Sequence, residues 1–470
     1  MKNFFKRFIG FSLGPIGGAM ISFFTTPLLT AFVSPTEYGR ASMFTTLQAL
    51  VASFIFLGMD QSYTREYQTE EDKRNLFQNA LLIPLGVSVF IMIIMVMFAG
   101  TFSQIMFESP DYKPTVLMFG ILIIFTVVER FLLLSIRMQE KAIEYSTFNI
   151  VLKLAIFLVA AFFIAIGKRD FLTVVYSTII GQLVGDLFLL IRYRHLFNLS
   201  HFKLEKELVR RMVKFGLPLI IASSLAILLN SLDRIFLRAF STFGELGIYT
   251  ATMKIAAVIG ILKTSFTSFW IPTAYRWYEE KKAIKHFKVI SDTILLLMTF
   301  LFFFLTLFKT PITAILSSDY MESRYILALL CLPQILYTLT ETTTLGIVFS
   351  RKSYLNIWVS LISIIPSIVL NFILTPVLGN IGAALANSIA YFFFFTSRTY
   401  FSNRTGFGFP MKKHYLVILL MLISAVINTV ESSYVIPVTL ILFVLSLLLQ
   451  IPTIKQFNGI YKQPGEWDFN

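Results

Sequence analysis

The residues most able to do chemistry lie inside long apolar runs: Glu129, Arg130, Lys153, Asp186, Asp233, Arg234, Lys254, Lys263 and Glu341. An ionisable group at bilayer depth is costly unless it meets a partner, a cavity or water. Two readings follow. Opposite charges on neighbouring helices lock hairpins together, or the surplus cations face a cavity and take an anionic group, for which a guanidinium offers a planar pair of donors. Depth supports pairing in two places. Asp233 and Lys254 are equidistant from a turn centred between Phe243 and Gly244, and Glu129 and Arg130 precede a loop by about as much as Lys153 follows it. The cations left over, Arg130 and Arg234, are then expected to face a cavity. Lys263 stands nine residues from Lys254, which puts the two on opposite faces of one helix and leaves Lys263 for cargo or for snorkelling.

Arg65 follows Asp60 by five residues at a helix end, where it is either an ordinary interfacial cation or a first contact for an anionic head group. Asp186 and Glu341 lie within two turns of the same membrane side, so solvation and ion coupling are equally open for them. No catalytic or metal-binding constellation is present in the pattern. All four His (His195, His201, His286 and His414) fall in segments expected to be cytoplasmic, and the single Cys331 excludes a disulfide framework. Glycine-rich nucleotide loops and carboxylate pairs at catalytic spacing are also missing.

These residues must be positioned by membrane helices. The chain has 470 residues, 56% hydrophobic and 14% charged, with 50 Phe and a mean hydropathy of +0.75. A soluble domain of this size needs far more charge on its surface. Apolar runs of about 20 residues, the length of a bilayer-crossing helix, recur throughout. Polar, Pro and Gly breaks give fourteen candidate spans between residues 9 and 451, among them 213–239, 246–272, 353–375, 380–402, 414–430 and 435–451. The basic N-terminus resembles a signal peptide, but its apolar run continues to Val33 and is read as the first span. With that terminus inside, 28 Lys and Arg fall on the inner side, seven on the outer side and five within spans. This asymmetry fits an even count with both termini cytoplasmic. It accounts for the formal charge of +14 without nucleic acid as a partner.

A repeat divides the chain. SPTEYGR at 34–40 and STFGELGIY at 241–249 both sit at outer turns, and a shift of 208 residues places Leu29, Ala31, Phe32, Glu37 and Gly39 on Leu237, Ala239, Phe240, Glu245 and Gly247. The shift also places Thr25 and Thr26 on Asp233 and Arg234, so the scaffold repeats while that charge cluster does not. Parallel repeats of this kind are a transporter architecture. The expected fold is an all-α polytopic membrane protein of about 14 spans: an N-terminal lobe at 1–195, a linker at 196–212, a C-terminal lobe at 213–402, and two further helices with a tail at 403–470. The lobes, of six helices each, are expected to be related by pseudo-two-fold symmetry.

SPTEYGR, GMDQSYTREY, FGLPLIIASSLAILLNSLDRIFLRAF with GELGIYTATMKIA, and NFILTPVLGNIGAALANSIAYFFFF together resemble the multidrug/oligosaccharidyl-lipid/polysaccharide (MOP) exporter superfamily, in particular its Wzx-type polysaccharide-transport branch. The resemblance covers roughly the first 400 residues. It implies two lobes around a central cavity open alternately to each side of the bacterial cytoplasmic membrane. It also implies a cargo of undecaprenyl-diphosphate-linked oligosaccharide carried to the outer leaflet. On that reading Arg130, Arg234, Lys263, Lys153, Lys254 and Arg65 are candidate diphosphate contacts, and Asp233, Glu129, Asp186 and Glu341 are ion-pair or coupling groups. No cofactor is implied, and the coupling ion, H+ or Na+, stays open. The partners expected are the lipid-linked cargo, membrane lipids and other polysaccharide-assembly proteins. A lipid II flippase, a cation-coupled drug exporter, and a membrane glycosyltransferase or polysaccharide polymerase are the alternatives.

Overall fold

The structure, a computed structural model, describes the backbone of residues 2–462 other than 351 and 353. Side chains are described over the same range except 2–12, 201, 218, 219, 221–223, 265, 268 and 457–462. Lys2, Lys6, Arg7, Arg351 and Lys462 of the charge count therefore lie outside the described side chains. The chain divides into two compact units, Met1–Ser231 and Leu232–Asn470.

The first unit comprises α1 (Lys2–Thr30), α2 (Pro35–Ile55), α3 (Met59–Glu66), α4 (Lys73–Met97), α5 (Ala99–Phe107), α6 (Lys113–Met138), α7 (Ala142–Ala165), α8 (Phe171–Arg192) and α9 (Lys206–Leu229). In a membrane, helices associate through close packing because lipid is as apolar as their side chains. Accordingly α1 meets α7 through Gly14, Gly17 and Gly18, where an added methyl group would press on Ser146, Ile150 and the Lys153 stem. Gly181 and Gly185 of α8 lie against Ile156 and Leu152 of α7 in the same way. The stretch 196–212, expected as a linker, is tied to α4: Gln78 donates to the Leu196 and Asn198 carbonyls at 2.9 Å each, and Asn79 donates to the Lys203 carbonyl at 2.9 Å.

The second unit comprises α10 (Leu232–Phe240), α11 (Phe243–Ala256), α12 (Val258–Glu279), α13 (Ile284–Leu307), α14 (Lys309–Thr313), α15 (Ser323–Thr343), α16 (Leu345–Phe349), α17 (Leu355–Arg404), α18 (Lys412–Ile427), α19 (Val435–Leu448) and α20 (Ile451–Lys462). Its centre is α15, which packs against α11, α12, α13, α17 and α18. Beneath it, Trp270, Trp277 and Phe287 form an aromatic core.

Each of the fourteen predicted spans falls mainly on helix among the described residues. Among the described residues, nine helices are long and apolar enough to cross a membrane, or ten if α2 and α3, bent by 51°, form one span. The rest of the fourteen has three sources. The 50-residue α17 contains two predicted spans and is broken at Gly379, whose φ of 54° is in the left-handed region. The span 213–239 is divided between α9, which packs with α2, α3 and α4, and α10, which packs with α11 and α17. Finally, α18 and α19 are short, at 16 and 14 residues.

The repeat governs local structure in both units. Ser34 caps α2 by accepting from the Glu37 N–H at 3.4 Å, and Thr242 caps α11 by accepting from the Glu245 N–H at 3.2 Å. The short 3-10 turns Pro110–Tyr112 and Ser318–Tyr320 also stand 208 residues apart, within SPDY and SSDY. That second match extends the repeat beyond the stretches that first marked it.

Candidate functional site

Glu37 and Glu245 organise the two repeated corners. Besides its place in the first turn of α2, Glu37 accepts through Oε2 from the Phe171 N–H, at 2.8 Å, at the start of α8. Glu245 accepts through Oε2 from the Asn380 N–H, also at 2.8 Å, immediately after the Gly379 break. Each carboxylate therefore joins the start of its own helix to the start of a second helix, where unpaired N–H groups and the helix dipole favour an anion. A methyl group at Gly379 would overlap the Glu245 carboxylate, so the second corner requires glycine for space as well as for its backbone angle.

Deeper in the first unit, Arg130 of α6 donates to Asp60 Oδ2 through Nε at 3.2 Å and Nη2 at 2.8 Å. The Arg130 side chain is still 49% exposed, whereas Asp60 is 10% exposed, so the guanidinium keeps an open face while paired. Its neighbour Glu129 turns the other way and accepts from Gln182 Nε2 at 2.9 Å, and Gln182 in turn accepts from Gln48 at 3.2 Å. Lys153 and Arg130 act on Glu129 through charge. Asp186 of α8 is only 2% exposed, and neither of its carboxylate oxygens has a hydrogen-bond partner among the described residues. A void of about 10 Å³ beside Glu129 is lined by Asn149, Leu152 and Gly185. Arg65, at the end of α3, lies over the Phe215 ring at 4.3 Å and 4.0 Å from Glu66.

Two polar clusters of the second unit contain residues that the sequence singled out. Asp233 is buried and accepts through Oδ2 from the Tyr249 hydroxyl and from Asn387 Nδ2, the latter at 3.1 Å. Arg234 is its charged neighbour. Depth matching had set Lys254 opposite Asp233; Tyr249 of the same helix, five residues earlier, is the group that reaches the carboxylate, and Lys254 is exposed. The second cluster centres on Glu341, which accepts from Arg398 Nη1 at 3.2 Å. Arg398 also donates to Thr340 at 2.8 Å and lies over Tyr337 and Phe394, which stack at 5.6 Å. Lys263 sits 4.1 Å from the centre of the Tyr337 ring, a cation–π arrangement, and feels the charges of Glu341 and Arg398.

The structure thus groups the predicted residues into three sets: Glu129, Arg130 and Lys153; Asp233 and Arg234; Lys263 and Glu341. Several partners were not singled out by sequence. Asp60, which the sequence sets beside Arg65, pairs with Arg130, and Arg398 points to Glu341 from within α17. Tyr337 and Phe394 were missed, yet the shift of 208 places them on Glu129 and Asp186. An aromatic pair thus stands in the second unit where the first has two carboxylates. A third buried cluster was also missed: Asp292, 1% exposed, receives Lys288 at 2.7 Å and Lys413 at 2.8 Å beside His414. Through Lys413 it fastens α18 to α13.

The helical architecture defines a class, that of multi-pass membrane proteins with the fold of the MOP superfamily. The chain is similar to a solved structure titled "Lipid II flippase MurJ, inward closed conformation", with a TM-score of 0.72 and 16% identity over 97% of this chain and 99% of that one. It is similar also to an inward-facing MATE family transporter, at TM-score 0.62 and 15% identity over 83% and 95% of the two chains. An outward-facing MATE transporter matches at 0.58 and 15% over 85% and 96%. Within that class, the chain belongs to the family described as "Polysaccharide biosynthesis protein", whose profile matches residues 5–278. No curated protein sequence matches it.

Proposed function

We propose that this protein is a Wzx-type flippase that carries an undecaprenyl-diphosphate-linked oligosaccharide from the inner to the outer leaflet of the bacterial cytoplasmic membrane, with both termini cytoplasmic. The observation that carries the reading is membership of the polysaccharide biosynthesis family across residues 5–278. The fold supports transport, since the similar solved structures include inward-closed, inward-facing and outward-facing transporters. Alternating access follows as the mechanism. The cations at depth suit the cargo's diphosphate. Arg130 keeps an open guanidinium face beside Asp60, and Lys263 is held on Tyr337 rather than in a closed ion pair. Arg234, Lys153 and Lys254 add positive charge within the spans, and Arg65 makes the first contact at the inner leaflet. Asp186, Glu129, Glu341 and Asp233 are candidates for coupling to H+ or Na+.

Deleting the gene and identifying the lipid-linked oligosaccharide that builds up on the cytoplasmic face tests this reading. Accumulation of a polysaccharide precursor is expected; no accumulation together with altered drug sensitivity would overturn it. A lipid II flippase is the second reading, favoured by the similarity to MurJ over nearly the whole chain. Rescue of cells that lack lipid II flipping, without a polysaccharide defect in the deletion strain, would select it.

A further inference from the structure

The first turns of α9 carry four cations that the structure treats in two ways. Arg211 is neutralised, donating to Glu66 at 3.0 Å and also to Glu70. Lys206, Arg210 and Lys214 recur every fourth residue, which places them on one face of the helix. All three are exposed, and none has a hydrogen-bond or ion-pair partner among the described residues. They line a groove of about 660 Å³ whose remaining walls are aliphatic, including Val213 and Leu217 of α9 and Leu82 of α4. No carboxylate lines it. Of the nearest acids, Glu205 receives the Asn75 amide, and Glu207 stands outside the lining. Leu82 and Leu217 are 45% and 50% exposed, so the aliphatic wall is open along its length.

A charge ladder alone is what any inner-facing loop of a membrane protein carries. A ladder fused to an open aliphatic groove of ligand size is more specific, because it offers one molecule both a polar and an apolar surface. The three cations span eight residues, roughly 12 Å along the helix, and lead directly into Val213 and Leu217. We propose that this groove binds an anionic diacyl phospholipid, with its phosphate on Lys206, Arg210 and Lys214 and an acyl chain against Leu82, Val213 and Leu217. The complementarity is one of charge and of shape: unpaired donors at one end, an uncovered aliphatic trough at the other. The site lies wholly within the first unit and does not depend on what the protein transports.

Native mass spectrometry of the full-length protein, delipidated in neutral detergent and titrated with phosphatidylglycerol or phosphatidylcholine, tests it. Wild type is expected to prefer phosphatidylglycerol. Each basic residue near a lipid phosphate contributes about fivefold, so K206Q/R210Q/K214Q is expected to weaken phosphatidylglycerol binding about a hundredfold and leave phosphatidylcholine unchanged. The control R211Q removes the same charge per residue outside the groove and is expected to keep the preference. Should the triple variant fail to fold, Arg210→Gln alone is expected to lose about fivefold. Three results would each overturn the proposal: an unchanged preference in the folded triple or single variant, equal binding of the two lipids by wild type, or displacement of phosphatidylglycerol by glycerol phosphate at equal concentration.

Discussion

Glu37 and Glu245 hold equivalent corners in the same way, whereas Thr25 and Asp233, which also stand one repeat apart, do different things. Each glutamate reaches the first N–H of a second helix at 2.8 Å. Thr25, by contrast, folds its hydroxyl back onto the Ile21 carbonyl of its own helix at 2.7 Å, while Asp233 gathers Tyr249 and Asn387 from two other helices. The residues one repeat before those two partners are Ala41 and Ile179, so the whole polar cluster belongs to the second unit alone. The converse holds for Glu129 and Asp186, whose counterparts Tyr337 and Phe394 are a stacked aromatic pair. Helix ends are repeated because every helix needs its terminal N–H groups met. The middle of the membrane carries no such requirement, so each unit is free to place its own chemistry there.

The sharpest way to break this comparison is to remove the divergent group. Asp233→Ala leaves the Tyr249 hydroxyl buried without its acceptor and the Asn387 amide with only that hydroxyl, at 3.2 Å, to donate to, and is expected to lower thermal stability in detergent by about 3 kcal/mol. Thr25→Ala removes only a local bond and is expected to cost under ~1 kcal/mol. Equal losses would mean that the two positions are not different in kind. Next in size is Gly379→Ala, which forces a side chain into left-handed backbone and against the Glu245 carboxylate; about 2 kcal/mol is expected. The G379A/E245A double variant should recover part of it, and a purely additive result would remove the contact from the explanation. Smaller still, Glu37→Ala and Glu245→Ala are each expected to cost about 1 kcal/mol, the ordinary worth of a carboxylate at a helix N-terminus. A large effect from one and none from the other would end their equivalence.

The smallest effect concerns the turn after α13 in the second unit, where Lys309 has Thr101 as its repeat counterpart. Burial, with the Arg324 charge adding to it and Glu431 opposing, lowers the Lys309 amine from 10.5 to about 8. The folded chain therefore binds fewer protons here than the unfolded chain between those two values. The contribution to stability is present above 10.5, is lost as pH falls toward about 8, and is constant below that. Half-maximal acylation of Lys309 near pH 8, followed by peptide mass spectrometry, is the expected reading; a midpoint near that of an ordinary lysine would contradict it.

Much of this architecture was legible in the sequence. Apolar run length marks spans directly, and the matched turns expose the repeat. Depth comparison sets Glu129 and Lys153 at a common level, while the hydrogen bond that Glu129 accepts comes from Gln182. It fixes height along a helix but not the direction a side chain points, because each residue turns the face by about 100°. That is why Tyr249 rather than Lys254 was found on Asp233, and why Arg130 was not connected to Asp60. Arg398 was obscured differently: six residues from Arg404 near a helix end, it looked like part of the loop charge until α17 turned it toward Glu341. The long reach of Glu37 to Phe171 spans 134 residues and had no local signature at all.

Arg130 and Arg234 are each proposed to contact the cargo's diphosphate. Purified protein in liposomes, supplied with a fluorescent undecaprenyl-diphosphate oligosaccharide on one leaflet, measures this as the rate of appearance on the other. Wild type is expected to accelerate transfer, and Arg130→Ala and Arg234→Ala are each expected to slow it at least about tenfold with normal insertion, in line with the loss of one charge-assisted contact. Wild-type transfer rates in both variants would contradict the claim and return those arginines to the scaffold.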